Sequence, residues 1–134
     1  MTFELDSMLA ADTVEVARLN LCRVLLMNDA TYPWLILVPE RQNLRDLHDL
    51  PREDHEQVMA EITQASNALQ HIYNPYKINV AALGNVVGQL HIHIIARSTN
   101  DPAWPAPFWG HAPAQAYDAQ ALTETVEKIK TELA

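Results

Sequence analysis

The sequence predicts an α+β fold, an antiparallel β-sheet with a long helix after its first hairpin and a second helix at the C-terminus. Three observations predict it. Residues Gln89 to Ile94 alternate strictly between polar and apolar, the period of a half-buried strand. Val58, Ile62, Ala65, Leu69 and Ile72 fall at steps of four and three, which is one apolar stripe on a helix. Segments of the two kinds follow one another in the order β-β-α-β-β-α. With 134 residues, 49% of them hydrophobic, the chain is long and apolar enough for one domain with a real core. Residues 1–134 are therefore read as a single domain, with a core over about 20–110 and a C-terminal helix over about 114–133. No internal repeat, low-complexity tract or linker interrupts it.

Taken in order, residues 1–20 are mixed, with Leu9, Val14, Val16 and Leu19 scattered among acids, and read as a loose lead-in with room for a short helix or strand. Cys22 to Met27 is a short apolar run that reads as a strand. Asn28-Asp29-Ala30-Thr31-Tyr32-Pro33 is turn chemistry. Trp34 to Val38 is a second strand closed by Pro39, so the two form a hairpin. Residues 40–50 are a polar loop. The helix over about 51–73 has Pro51 in its first turn, Glu53 and Asp54 at its positive end, and Asn74-Pro75 to stop it. Tyr76 to Leu83 is a third strand, Gly84-Asn85 signals a tight turn, and the histidine strand, over 88–97, follows. Pro102, Pro105 and Pro107 forbid regular pairing beyond it. Trp104, Phe108 and Trp109 must still be covered, which predicts an ordered strap across the body. Leu122, Val126, Ile129 and Leu133 make the second amphipathic helix.

The formal net charge is −8 and the pI about 5.0, with no cluster of Lys or Arg. Wrapping a long nucleic acid is excluded on that ground, whereas a few local donors suffice for a small phosphorylated ligand. Cys22 is the single cysteine, so no internal disulfide forms. No apolar run approaches the roughly 20 residues of a membrane span, so no membrane partner is expected. Residues Met1 to Asp6 lack the basic start and apolar core of a signal peptide, and the cytoplasm is the expected compartment.

On a strand, Gln89, His91 and His93 share one face while Leu90, Ile92 and Ile94 lie on the core. Two imidazoles side by side admit three readings: surface decoration, a metal pair or a catalytic pair. Zinc requires a third protein ligand, and none of Cys22, His48, His55, His71 and His111 stands at a recognisable spacing. No metal ligand is therefore assigned. His48, His55 and His71 read as solvated surface, and Trp104 and Trp109 as packing residues of a strap that could also close over a base. Arg97 has the parity of the histidines and fits a carboxylate as well as a phosphate partner. Chemically, a neutral imidazole can displace a leaving group at phosphorus to form a phosphoramidate, which water then cleaves. Neighbouring donors must hold the phosphate oxygens as charge moves.

The segment Gly88-Gln89-Leu90-His91-Ile92-His93-Ile94-Ile95-Ala96-Arg97 resembles the signature of the histidine-triad (HIT) superfamily of nucleotide hydrolases and transferases, three histidines alternating with hydrophobic residues and an arginine shortly after. Arg97 sets the register. His91 then matches the central, nucleophilic histidine and His93 the third, which helps hold phosphate and leaving group. Gln89 replaces the first histidine. The Val38-Pro39 hairpin end, Leu47-His48-Asp49-Leu50 and the long helix extend the likeness. Asp101-Pro102-Ala103-Trp104-Pro105 is similar to bacterial members labelled diadenosine-polyphosphate-hydrolase-like. The resemblance spans about residues 20–110.

The resemblance implies a HIT-like fold and further roles. Asn28 would contact ribose and base, and Asn79 the α-phosphate. Asn85 and Gly88 would lie in the phosphate loop, with Arg97 beside them among the substrate-binding residues. Trp34 stands where many members carry another histidine. It also implies a homodimer, for which the strap and terminal helix offer apolar surface, and a nucleotide or dinucleotide substrate. No cofactor is implied beyond a divalent ion accompanying a polyphosphate. The leading expectation is hydrolysis at the α-phosphate through a nucleotidyl-His91 intermediate, with Gln89 and His93 polarising the phosphate. The competing one, carried by the Gln89 and Trp34 departures, is a module that binds or senses nucleotides with little catalysis. A small metalloprotein is the third.

Overall fold

The computed structural model describes residues 2–134 and shows an α+β fold. Its elements are α1 (Ser7–Asp12), β1 (Thr13–Arg18), β2 (Cys22–Met27), β3 (Trp34–Pro39), α2 (His55–Tyr73), β4 (Lys77–Ala81), β5 (Ile92–Arg97) and α3 (Ala119–Leu133). The strands form a five-stranded sheet in the order β1-β2-β3-β5-β4. Every neighbouring pair is antiparallel.

The central strands are apolar almost throughout because both faces of the sheet are covered. On one face Val24, Leu26, Leu35, Leu37, Ile92, Ile94 and Ala96 meet Val58, Ala65 and Leu69 of α2 and Ile129 and Leu133 of α3. On the other, Leu25, Ile36 and Val38 are covered by Leu9, Leu5 and Phe3 of the N-terminal segment. Further along that face Ile95 lies under Tyr32, Ala103 and Phe108. The helix stripe predicted by the sequence is thus the packed face of α2. One polar residue interrupts it: Glu61, 1% exposed, accepts from the main-chain N–H groups of Leu21 and Cys22. It ties the helix to the β1–β2 turn.

Four expectations change. Residues 1–20 are not loose: Asp6 caps α1 by accepting from Met8 N, and β1 pairs with β2. Both elements are short, and only Val16 of β1 is buried, so neither leaves a strong periodic signal. The long helix begins at His55, after a 3-10 turn over Arg52–Asp54, rather than at Pro51. It ends as expected at Asn74, which takes the left-handed conformation (φ 46°). Gly84-Asn85 is not a tight hairpin turn, because pairing stops at Ala81↔His93 and residues 82–91 form a long loop in which Gly84 takes φ +64°. The histidine strand is correspondingly shorter, since regular pairing begins at Ile92 and Leu90 N instead bonds Leu44 O.

The strap is ordered, as expected. Phe108 and Ala103 are buried, and Trp109 packs on Trp34 and Phe108. Among the described residues, no helix is long and apolar enough to cross a membrane.

Candidate active site

His91 and His93 emerge on the face opposite the helices with ring centroids 4.9 Å apart at 70°. Both are 6% exposed. Their walls are aromatic: Trp109 lies 4.7 Å from the His93 ring and Trp34 5.7 Å from it.

The hydrogen bonds fix where each ring carries its proton. His91 Nδ1 is 2.7 Å from the main-chain oxygen of Gln89. A carbonyl only accepts, so Nδ1 donates, and the neutral ring keeps its lone pair on Nε2. At His93 the order is reversed. Trp34 Nε1 lies 3.0 Å from His93 Nδ1. An indole N–H only donates, so Nδ1 accepts, and the neutral ring carries its proton on Nε2. Burial, and then the charge of His91, push the His93 pKa down to about 4. The pair is therefore asymmetric, with a lone pair available at His91 Nε2 and a donor at His93 Nε2.

Gln89 is not aimed as the sequence suggested. Its side-chain oxygen accepts from Asp6 N (2.8 Å) and its amide nitrogen donates to Glu4 O (2.9 Å). Both ends of the amide are committed to the N-terminal segment, and what Gln89 offers the histidines is its main-chain carbonyl. Gly88 does lie beside a charged group, since a Cβ there would stand 3.0 Å from Arg45 Nη2. Arg45 was missed in the sequence because it sits in a featureless polar loop far from the motif. Asn85 is exposed in the 82–91 loop.

Arg97 is held as a buried cation. It is 1% exposed and pairs with Asp101 through Nε (2.8 Å) and Nη2 (3.0 Å). It also donates to Ala106 O and to the side-chain oxygen of Asn79. Of the two partners its parity allowed, it has taken the carboxylate. Asn79 is drawn into the same network, its oxygen spent on Arg97 rather than free beside the histidines. Asp101 also accepts from Ser98 N and Trp104 N, and the Arg97 guanidinium holds its pKa below the usual carboxylate range. The network pins the head of the strap. Asn28 Oδ1 accepts from Tyr117 N, anchoring the approach to α3.

A cavity of about 570 Å³ opens beside this centre, lined among others by Met27, Asn28, Asp29, Trp34, Trp109 and His111. That volume is within the range of small-molecule sites. Neither His91 nor His93 lines it; Trp34 and Trp109 stand between the cavity and the His93 ring. Asn28 is thus at the cavity wall, though its oxygen is occupied.

Of the other candidate ligands, Cys22 is buried and its thiol pKa is pushed up by burial. His71 bonds Glu132 (2.8 Å) and His55 bonds Leu50 O (3.1 Å). Asp46, His48 and Asp49 offer atoms within 4.8 Å of one another, but all three are exposed and none belongs to the histidine pair.

Comparison with known proteins places this geometry. The family model described as HIT domain matches residues 9–100. A histidine triad protein from Bradyrhizobium japonicum is 42% identical, the alignment covering 100% of each chain, with a TM-score of 0.97. One from Marinobacter aquaeolei is 41% identical over 99% of this chain and 97% of that one, with a TM-score of 0.96. A third, from Sinorhizobium meliloti, is 37% identical over 98% and 97%, with a TM-score of 0.95. No curated protein sequence matches the chain.

Proposed function

Because the chain belongs to the HIT domain family, we propose that it is a nucleotide hydrolase or nucleotidyl transferase in which His91 attacks the α-phosphate of a nucleotide or dinucleoside polyphosphate. The observation that carries this is the 2.7 Å contact between His91 Nδ1 and Gln89 O. With its proton held there, His91 has its lone pair at Nε2, the form a nucleophile needs. His93 Nε2–H supplies a hydrogen bond to the phosphate as charge moves onto its oxygens. The first bond made is P–Nε2 and the bond broken is that to the leaving group. Water then forms a new P–O bond and loses a proton to solvent, while the P–N bond breaks and its electron pair returns to His91 Nε2. A divalent ion accompanying a polyphosphate is compatible with this scheme and carries no step in it.

Diadenosine polyphosphates are the probe of choice. Release of mononucleotide by the wild type, abolished in a folded His91→Ala variant, supports the proposal; release undiminished in that variant overturns it.

One observation favours a second reading, a nucleotide-binding or sensing module. Both rings are nearly buried and Trp109 covers His93. Tight mononucleotide binding with no product from any dinucleotide would select it.

For the proposed homodimer, one sheet edge offers surface in addition to the strap and the terminal helix. β4 is an edge strand that carries Val80 (48% exposed) and lies near Tyr76 (73%) and Val86 (83%) in the flanking segments. An unpaired, apolar sheet edge suits pairing with a second copy. Placement in the cytoplasm accords with the free Cys22 thiol.

A further inference from the structure

We infer that Trp34 is a positioning residue that holds His93 as the neutral Nε2–H tautomer, so that the site expels leaving groups that depart without a proton. The inference rests on the nucleotidyl-transfer reading for its second half; its first half concerns the resting protein alone.

The geometry is specific. Trp34 opens β3, and its position is fixed by the register that pairs Trp34 with Ile95 and Ile36 with His93. The indole ring packs edge-on to Phe108 and Trp109 at 4.7 and 5.8 Å. Its single N–H has one acceptor, His93 Nδ1 at 3.0 Å. Protonating His93 would place an N–H against an N–H and cost that bond, on top of the cost of a cation in an aromatic enclosure. Among the described residues, no carboxylate faces the ring to offset this. His91 is the titratable group facing it, and a charge there opposes a second. Across β4 its partner is Ala81, and from the strap it meets Trp109. Arg97, further along the same face, is neutralised by Asp101.

A neutral imidazole gives a hydrogen bond through Nε2–H but does not surrender that proton near pH 7. When His91 Nε2 bonds to phosphorus, the electron pair of the breaking bond leaves with the departing atom. A phosphate or polyphosphate oxygen carries that pair as a stable anion and needs no proton. The nitrogen of an alkyl phosphoramidate does not, and must be protonated to leave. His93 cannot supply that proton while Trp34 occupies Nδ1. The substrate class assigned is therefore a phosphoric anhydride, not a phosphoramidate.

Two measurements test this. In protein labelled with ¹⁵N-histidine, two-bond nitrogen–proton correlations between pH 5 and 8 should show His93 neutral and protonated on Nε2 throughout. In Trp34→Phe, which keeps a ring and loses the N–H, the proton should redistribute over both nitrogens and the titration midpoint should rise. A wild-type His93 that is charged at pH 7 or protonated on Nδ1 overturns the inference, and the wild-type spectrum decides this even if the variant does not fold. Separately, turnover of diadenosine tetraphosphate should exceed that of an adenosine 5′-alkylphosphoramidate by on the order of 10²-fold or more, the usual worth of a missing general acid, and Trp34→Phe should narrow the gap. Equal turnover of the two overturns the leaving-group assignment. Turnover of neither, with the tautomer as stated, rejects the enzymatic reading and leaves the role of Trp34 standing.

Discussion

The main-chain carbonyl of Gln89 holds the Nδ1 proton of His91 at 2.7 Å, while the side-chain amide of the same residue spans Glu4 and Asp6. One residue thus orients the candidate nucleophile with its backbone and secures the N-terminal segment with its side chain. The two jobs are separable, because a side-chain substitution leaves the carbonyl in place.

Gln89→Ala should therefore loosen the N-terminal segment more than it impairs His91. Two hydrogen bonds lost predict a stability decrease of about 1–2 kcal/mol, read by denaturant unfolding. Amide exchange at Asp6 should accelerate, and turnover should stay within a few-fold of wild type. Turnover lost with Asp6 still protected would assign the amide to the substrate instead.

Arg97 and Asp101 form a buried pair, with side chains 1% and 8% exposed. Removing one partner leaves the other charged and unpaired, which costs about 3–5 kcal/mol. Arg97→Met and Asp101→Asn should both destabilise the protein and alter the fluorescence of Trp104, which lies 5.6 Å under the Arg97 guanidinium. The double variant Arg97→Met/Asp101→Leu should recover much of the loss. If Arg97→Met instead weakens nucleotide binding at unchanged stability, the cation contacts substrate after all.

The depressed pKa of His93 sets a pH dependence. The folded ring stays neutral down to about 4, against 6.5 for the ordinary value, so between those limits the unfolded chain binds more protons. Stability from this group is fully present above pH 6.5 and falls as the pH drops toward 4, by on the order of 1 kcal/mol per unit. His71 acts oppositely, because its bond to Glu132 raises its pKa. The α2–α3 contact it makes is present below pH 6.5 and weakens as the pH climbs past the raised value. Comparing wild type with His93→Gln by urea unfolding from pH 7 to 5 isolates the first effect: the slope should flatten in the variant. An unchanged slope would mean that His93 titrates normally.

Local patterns carried the fold a long way. The stripe from Val58 to Ile72 and the alternation around Ile92 and Ile94 are each the direct trace of a face laid on a core, and both faces were found. What was hidden depends on partners distant in sequence. Gln89 meets Asp6 across 83 residues and Trp34 meets His93 across 59, and no spacing rule links them. Arg97 shows the limit of parity, which put it on the histidine face without saying that Asp101, four residues on, would claim it. Within residues 1–20 the sequence allows a short strand but does not outline β1, because an edge strand with one buried residue needs little hydrophobicity.

The central claim is that His91 becomes covalently nucleotidylated at Nε2. Acid-quenching the protein within milliseconds of mixing with diadenosine tetraphosphate, followed by digestion and mass spectrometry under conditions that preserve the P–N bond, tests it directly. The account predicts an added adenylate on the peptide carrying His91, absent in His91→Ala and decaying at the rate of product release. Mononucleotide production with no adduct at any time, or an adduct located on His93, would contradict it.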